Sequence, residues 1–368
     1  MTANCQLPAE ADLAGEVLHH VEARGDPALA AELRAAAERA RTYAARAQAP
    51  GTKRVYRSAW RQYGAWCGRL GFDPLAGDPE VVRLYLAAAG ESRAAATLEV
   101  HLSAILQAHR LIGRPLDARD PRIATVMEGL RRNQSLRAKR QATPLTLADL
   151  RALVRAQPDT DLGLRNRALL LTGFGGALRR SEIVALDLDD LQWVEQGVVL
   201  TIRRSKTDQT GRGAAVAIAR AADPDLCAAR TLASWLRCRR AQIAGQSDSE
   251  GRHPLFVRFS KSDRMRPARL DGRAVSRLVK SGAEGCGLTD TDLHVAFGLA
   301  GGRDAPHYAG HSLRAGLLTA AAEAGVPLHD VMRHSRHRSV EQARVYMRSA
   351  ELWEANASAA VLGGPEKG

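Results

Sequence analysis

The sequence predicts a mainly α-helical protein with a small antiparallel β-sheet, and three observations carry that prediction. Apolar residues recur at helical spacing through most of the chain from Thr52 onward. Hydrophobic residues make up 45% but aromatics only 4%, so the cores must be built largely from Ala, Leu and Val, a composition that favours helices. Between Val198 and Ile218, two apolar, partly β-branched runs instead flank a polar, Gly-containing turn, which is a hairpin pattern.

A chain of 368 residues implies two or so domains, each large enough to bury a core. The formal charge of +13 calls for a polyanionic partner, either nucleic acid or an anionic membrane. No apolar run approaches the roughly 20 residues of a membrane span, and the first residues lack a signal-peptide pattern. Nucleic acid is therefore the expected partner, with no membrane. Five cysteines (Cys5, Cys67, Cys227, Cys238, Cys286) without CxxC spacing fit structural thiols in a reducing cytoplasm. There is no carboxylate cluster of metal-site character and no GxxxxGK[ST] loop, so neither a metal nor a nucleotide cofactor is expected.

Residues 1–51 read as a peripheral helical arm, Ala-, Glu- and Arg-rich, ending at Pro50-Gly51. Thr52 is the expected N-cap of the next helix, on which Tyr56, Trp60, Tyr63 and Cys67 share a face and Arg54, Arg57 and Arg61 form a stripe beside it. That stripe suits either solvent or a phosphate backbone. Further helix patterns carry Val82, Tyr85 and Leu86, then Leu98 to His109, then Ile123 to Leu130, giving a compact helical domain over 52–134. His101 and His109 read as helix-surface or core histidines. Residues 135–145 form a basic linker closed by Pro144.

The second domain, 146–348, opens at the capping pattern Thr146 to Asp149. An apolar helix, NRALLLTGF, then breaks at Gly173, Gly175 and Gly176, before ALRRSEI sets Arg179 and Glu182 three apart on a new helix. By itself that spacing is ordinarily a surface ion pair. Lys206 sits near the tip of the hairpin, where a lone lysine is ordinarily solvated. A helix around Leu226 to Arg240, the strand HPLFVRF and the helix DGRAVSRLVKSGAEGCG follow. His311 and Arg314 then lie at the start of an Ala-rich helix, a second helix follows Pro327, and a basic cluster holding His334 and His337 precedes Tyr346 by nine residues from His337. Guanidinium, imidazole and phenol on short helices suit attack on a phosphodiester: the first offsets charge on phosphoryl oxygens, the second moves protons, and the third can become a covalent nucleophile.

Taken in order, ALRRSEI, SKTDQTGRG, GHSLRAG and ARVYMR resemble the motifs of the tyrosine recombinases, also called phage integrases, from about Thr52 to the end. That resemblance implies a SAM-like helical core-binding domain followed by an α+β tyrosine recombinase catalytic domain. It implies catalytic roles for Arg179, Lys206, His311, Arg314, His337 and Tyr346, with Glu182 positioning Arg179 or His311. It further implies cleavage of double-stranded DNA at a specific recombination site, a 3′-phosphotyrosyl intermediate without metal or ATP, and a homo-tetramer on DNA. The tail helix, 349–368, would then dock on a neighbouring protomer. Two departures stand out. Arg180 replaces an apolar residue and is expected to pair with Asp187 or Asp189, and His334 competes with His337, a surface or DNA-facing position being the expected one for His334. Two other classes stay open: a type IB topoisomerase-like strand-passage enzyme, and a non-catalytic basic helical DNA-binding regulator.

Overall fold

The structure, a computed structural model, describes residues 27–46, 49–135, 142–203, 213–242, 251–288 and 307–351. The chain divides into two compact units, 1–139 and 140–368.

In the first unit α1 (Pro27–Arg46) is Ala-rich and leaves Leu29 and Tyr43 exposed. Four helices follow: α2 (Pro50–Leu70), α3 (Pro79–Gly90), α4 (Ala95–Leu111) and α5 (Pro121–Ser135). The N-cap of α2 is Ala49, with Pro50 inside the first turn, so Thr52 is not the cap. Proline at N1 starts a helix without losing a hydrogen bond, which moves the boundary upstream of the position that side-chain capping suggests. Trp60, Tyr63 and Cys67 of α2 bury against Val82, Tyr85 and Leu86 of α3, Leu98 and Ile105 of α4, and Ile123 and Met127 of α5. Arg54, Arg57 and Arg61 stay on the exposed face. Both histidines are core residues. His101 Nδ1 lies 2.6 Å from the Tyr85 hydroxyl, and His109 presents its ring edge-on to Trp60.

The second unit is built around α7 (Asp161–Gly175), which follows α6 (Leu147–Arg155). Thr146 caps α6 in a reciprocal box with Asp149. From Ala168 to Phe174 every residue of α7 is buried, as expected of a helix apolar all round. Next come α8 (Arg180–Ala185), β1 (Leu191–Val194), β2 (Gly197–Ile202), β3 (Ala214–Ala219), α9 (Ala228–Gln242), β4 (Val257–Phe259), β5 (Met265–Arg269) and α10 (Gly272–Gly285). The expected hairpin is β2–β3, with Val199 opposite Ala217, and β1 extends it to a three-stranded antiparallel sheet. β4 and β5 form a separate antiparallel ribbon. Three further helices follow among the described residues: α11 (Ser312–Glu323), α12 (Leu328–Ser335) and α13 (Val340–Glu351). The expected boundary between domain and tail, 348/349, falls inside α13. Thr143 and Leu145 of the expected linker hydrogen-bond to His307 and Ser312, so this stretch runs beside the start of α11.

Candidate active site

The site is assembled around the carbonyl end of α7. Gly176 ends the helix, and Ala177 turns the chain with a left-handed φ of 45°. Arg179 then becomes the N-cap of α8. The Glu182 carboxylate accepts twice from Arg179, from its backbone N–H (2.9 Å) and from its guanidinium (2.7 Å). Glu182 is 1% exposed. Burial pushes its pKa up, but Arg336 and the hydrogen bonds from Arg179 outweigh that and hold it below the usual carboxylate range.

Carbonyls at a helix C-terminus carry partial negative charge, and cationic or hydrogen-donating groups converge on this one. Arg314, from the first turn of α11, donates to the Ala177 carbonyl at 2.7 Å. His334 lies 2.8 Å from the Gly175 carbonyl through Nε2, and Arg336 reaches the Gly176 and Ala177 carbonyls at 3.3 Å each. His334 is therefore a half-buried helix-capping group and not a surface or DNA-facing one; the carbonyl it satisfies belongs to a helix 159 residues away, which the local pattern does not reveal.

Arg314 is 1% exposed, and its second amino group donates to His337 Nε2 at 3.0 Å. A guanidinium cannot accept, so Nε2 is the acceptor and the His337 proton sits on Nδ1, 2.7 Å from Ser335 Oγ. Loss of solvation, then Arg314 and Arg179, pushes the His337 pKa down to about 3. Loss of solvation first, then the same two arginines, lowers His311 as well, so both imidazoles are neutral at pH 7. His311 Nε2 lies 2.6 Å from the Tyr346 hydroxyl, and in the tautomer with its proton on Nδ1 it accepts from that hydroxyl. The Tyr346 ring lies 6.2 Å from that of His311 and 6.1 Å from that of His337. Burial raises the Tyr346 phenol despite Arg314 and Arg179, so attack by its oxygen needs a base to take the proton. The arrangement can therefore offer an anion a nucleophilic oxygen, a base already on that oxygen, and two guanidiniums.

Arg179, Glu182, His311, Arg314, His337 and Tyr346 thus share one site. Lys206 lies outside the described residues. Arg203, at the foot of its hairpin, is clamped by Asp187 (3.0 Å) and Asp190 (2.6 Å). Asp187 also binds Arg269, so Arg180 does not take it; the Arg180 guanidinium instead approaches Ser276 Oγ at 3.4 Å. Asp187 is 2% exposed, closed in by Arg203 and Arg269. Arg336 and Ser335 are participants that the sequence reading passed over. The signal was the lack of glycine between Ser335 and Val340, which leaves the left-handed helix stop to a residue with a side chain. Among the described residues, no group of three or more His, Cys, Asp or Glu could hold a metal ion, and no helix is long and apolar enough to cross a membrane.

Comparison with known proteins identifies the family. The family model described as the phage integrase family matches residues 144–352. The integrase/recombinase xerD homolog of Selenomonas ruminantium is 30% identical over 316 residues, covering 85% of each chain. The recombinase cre of Escherichia phage P1 is 25% identical over 311 residues, covering 82% of this chain and 84% of that one. Among solved structures, the XerH site-specific recombinase bound to palindromic difH substrate, a post-cleavage complex, superposes with a TM-score of 0.58 at 15% identity, over 84% of this chain and 80% of that one. Matched by the family model over more than half its length, and by a relative at 30% identity over most of it, the chain belongs to the phage integrase family, the tyrosine recombinases, and is a DNA breaking-and-rejoining enzyme.

Proposed function

We propose that the protein recombines double-stranded DNA at a specific site through a covalent 3′-phosphotyrosyl intermediate. The observation that carries this is the 2.6 Å contact of Tyr346 with a neutral His311, beside two guanidiniums. His311 takes the phenol proton as the Tyr346 oxygen attacks the scissile phosphorus. The 5′-oxygen leaves, taking a proton from Lys206. Arg179 and Arg314 bind the non-bridging oxygens, where a planar fork and permanent charge match the geometry. The arriving phosphate draws Arg314 off His337 Nε2, and its negative charge favours uptake of a proton from water there, so that His337 donates to the phosphate. Glu182 positions Arg179. The phosphotyrosine retains the energy of the phosphodiester, so religation needs no ATP, and the cationic groups supply the charge for which other phosphoryl-transfer sites use metal.

The unit around 52–134 would grip the duplex through Arg54, Arg57 and Arg61, with the basic linker 135–145 crossing the backbone. We assign a homo-tetramer on DNA, with residues after Glu351 of one copy seated in the next. Those residues lie outside the described ones. An apolar groove of about 890 Å³ supports this docking: Leu147, Leu171, Phe174, Ile218, Leu318 and Val331 line it beside the active-site helices. It fits the small apolar pattern of Leu352, Ala355, Ala359 and Leu362.

The test is to trap covalent protein–DNA adducts in cells expressing the protein and sequence the attached DNA. One recurring sequence on Tyr346 is expected; adducts at random sequence favour a topoisomerase. Tyr346→Phe should form no adduct yet bind DNA within about twofold of the unaltered protein, since the charge that dominates affinity is untouched. An adduct on Tyr346→Phe would remove the tyrosine from this role.

A further inference from the structure

We propose that Arg336 is a positioning residue of the phosphate clamp: it balances the buried Glu182 carboxylate, so that Arg179 keeps its own charge for DNA. The proposal rests on the recombinase reading above. Arg336 is engaged by protein groups: its side chain is 10% exposed, and one amino group donates to Glu182 Oε2 at 2.9 Å. The other reaches the Gly176 carbonyl at 3.3 Å and the His334 carbonyl at 3.0 Å. One planar group thus ties the last turn of α12 to the end of α7 and the start of α8, the elements that present His337, Arg314 through the Ala177 carbonyl, and Arg179. Its backbone is left-handed, with φ of 59°, a conformation in which glycine meets no steric penalty and arginine does. The side chain is what this position retains.

Charge gives the arrangement its purpose. Two guanidiniums, Arg179 and Arg336, share the Glu182 carboxylate, and Arg314 lies close enough to feel it. Without Arg336 the carboxylate would neutralise Arg179, leaving little more than Arg314 against the charge that grows on the phosphoryl oxygens. With it, these four groups keep a surplus of two positive charges, which matches a dianionic transition state. The burial of Glu182 makes this exchange strong, because an uncompensated charge in a water-poor site interacts at short range with little screening.

The experiment measures single-turnover cleavage of a nicked duplex built from the sequence recovered in the adducts, with the unaltered protein in parallel. Arg336→Gly, which relieves the backbone, should slow cleavage by about 10- to 100-fold. Its gel-shift affinity for the same duplex should stay within about twofold, because the lost group is engaged with Glu182 and helix carbonyls. Arg336→Lys should recover part of the rate, its charge reaching Glu182 without the fork that also holds the carbonyls. In a Glu182→Gln background, where no carboxylate needs balancing, adding Arg336→Gly should cost less than about threefold. Equal losses in both backgrounds, or full cleavage by Arg336→Gly, overturn the proposal. If Arg336→Gly fails to fold, Arg336→Lys decides: a rate equal to that of the unaltered protein overturns it, and a reduced rate at unchanged affinity supports it. No cleavage by the unaltered protein would overturn the recombinase reading and this inference together.

Discussion

Arg314 shows how little freedom a single side chain has here. It is 1% exposed, it donates to the Ala177 carbonyl and to His337 at once, and burial lowers its pKa only to about 10, so it stays charged at neutral pH. An ammonium could satisfy one of those partners or a phosphate oxygen, but could not keep the Ala177 carbonyl with one edge while turning another from His337 to the phosphate. Arg314→Lys should therefore slow cleavage by about 100-fold or more, measured in single turnover, with DNA affinity nearly unchanged. His311 makes a pH prediction. Loss of solvation, with Arg314 and Arg179 nearby, places its pKa below the ordinary imidazole value of about 6.5. The base form therefore predominates at pH 6.5, and the cleavage rate should fall with a midpoint below that pH. An acid limb centred above 6.5 would exclude His311 as the base.

Each active-site element is held by contacts with elements distant in sequence. α11 approaches the chain at Leu145 so closely that a Cβ on Gly316 would meet the Leu145 carbonyl at 2.2 Å. Backbone cannot yield as a side-chain tip can, so Gly316→Ala should destabilise the second unit by about 1–3 kcal/mol. It should also slow cleavage, because Arg314 lies two residues away; melting temperature and single-turnover rate check both. The helices were legible in the sequence because their apolar stripes are long. Thr146 and Asp149 announced the start of α6, and the polar turn between β2 and β3 announced the hairpin. β5 was not legible: Pro267 and its flanking arginines argue against a strand unless both strands are edges, as in this two-stranded ribbon. β1, only four residues long, carried no alternation to find. Motif order indicated which site residues come together, whereas the capping of α7 by His334 and Arg336 depends on tertiary approach and leaves no local periodicity.

At the scale of the molecule, five histidines among the described residues, His101, His109, His311, His334 and His337, are held below the ordinary imidazole pKa, with loss of solvation as the first cause in each. Their neutral form is favoured by folding, so the unfolded chain binds more protons below about pH 6.5. The stability they contribute is complete above that pH and is lost as pH falls toward the depressed values. Thermal melts should show a plateau above about 6.5 and a decline beneath it; a melting temperature rising from pH 6.5 to 5 would contradict the structure. Assembly is tested by truncation after Glu351, which spares α13 where a cut after Arg348 would not. The shortened protein should bind one half-site as before but lose cooperative occupancy of a full site and recombination. Unchanged cooperativity would refute docking between copies. The convergence of side chains on the end of α7 has a consequence for synthesis. The bonds that build the site join residues 137, 154 and 159 apart, from Ala177 to Arg314, Glu182 to Arg336 and Gly175 to His334. A chain still emerging from the ribosome can fold its first unit, which needs nothing from beyond it in its core. With the roles proposed above, such a chain would hold DNA while lacking its nucleophile and half of its clamp. Cutting would then begin only when translation has delivered α13, so an unfinished copy would occupy a recombination site without breaking it.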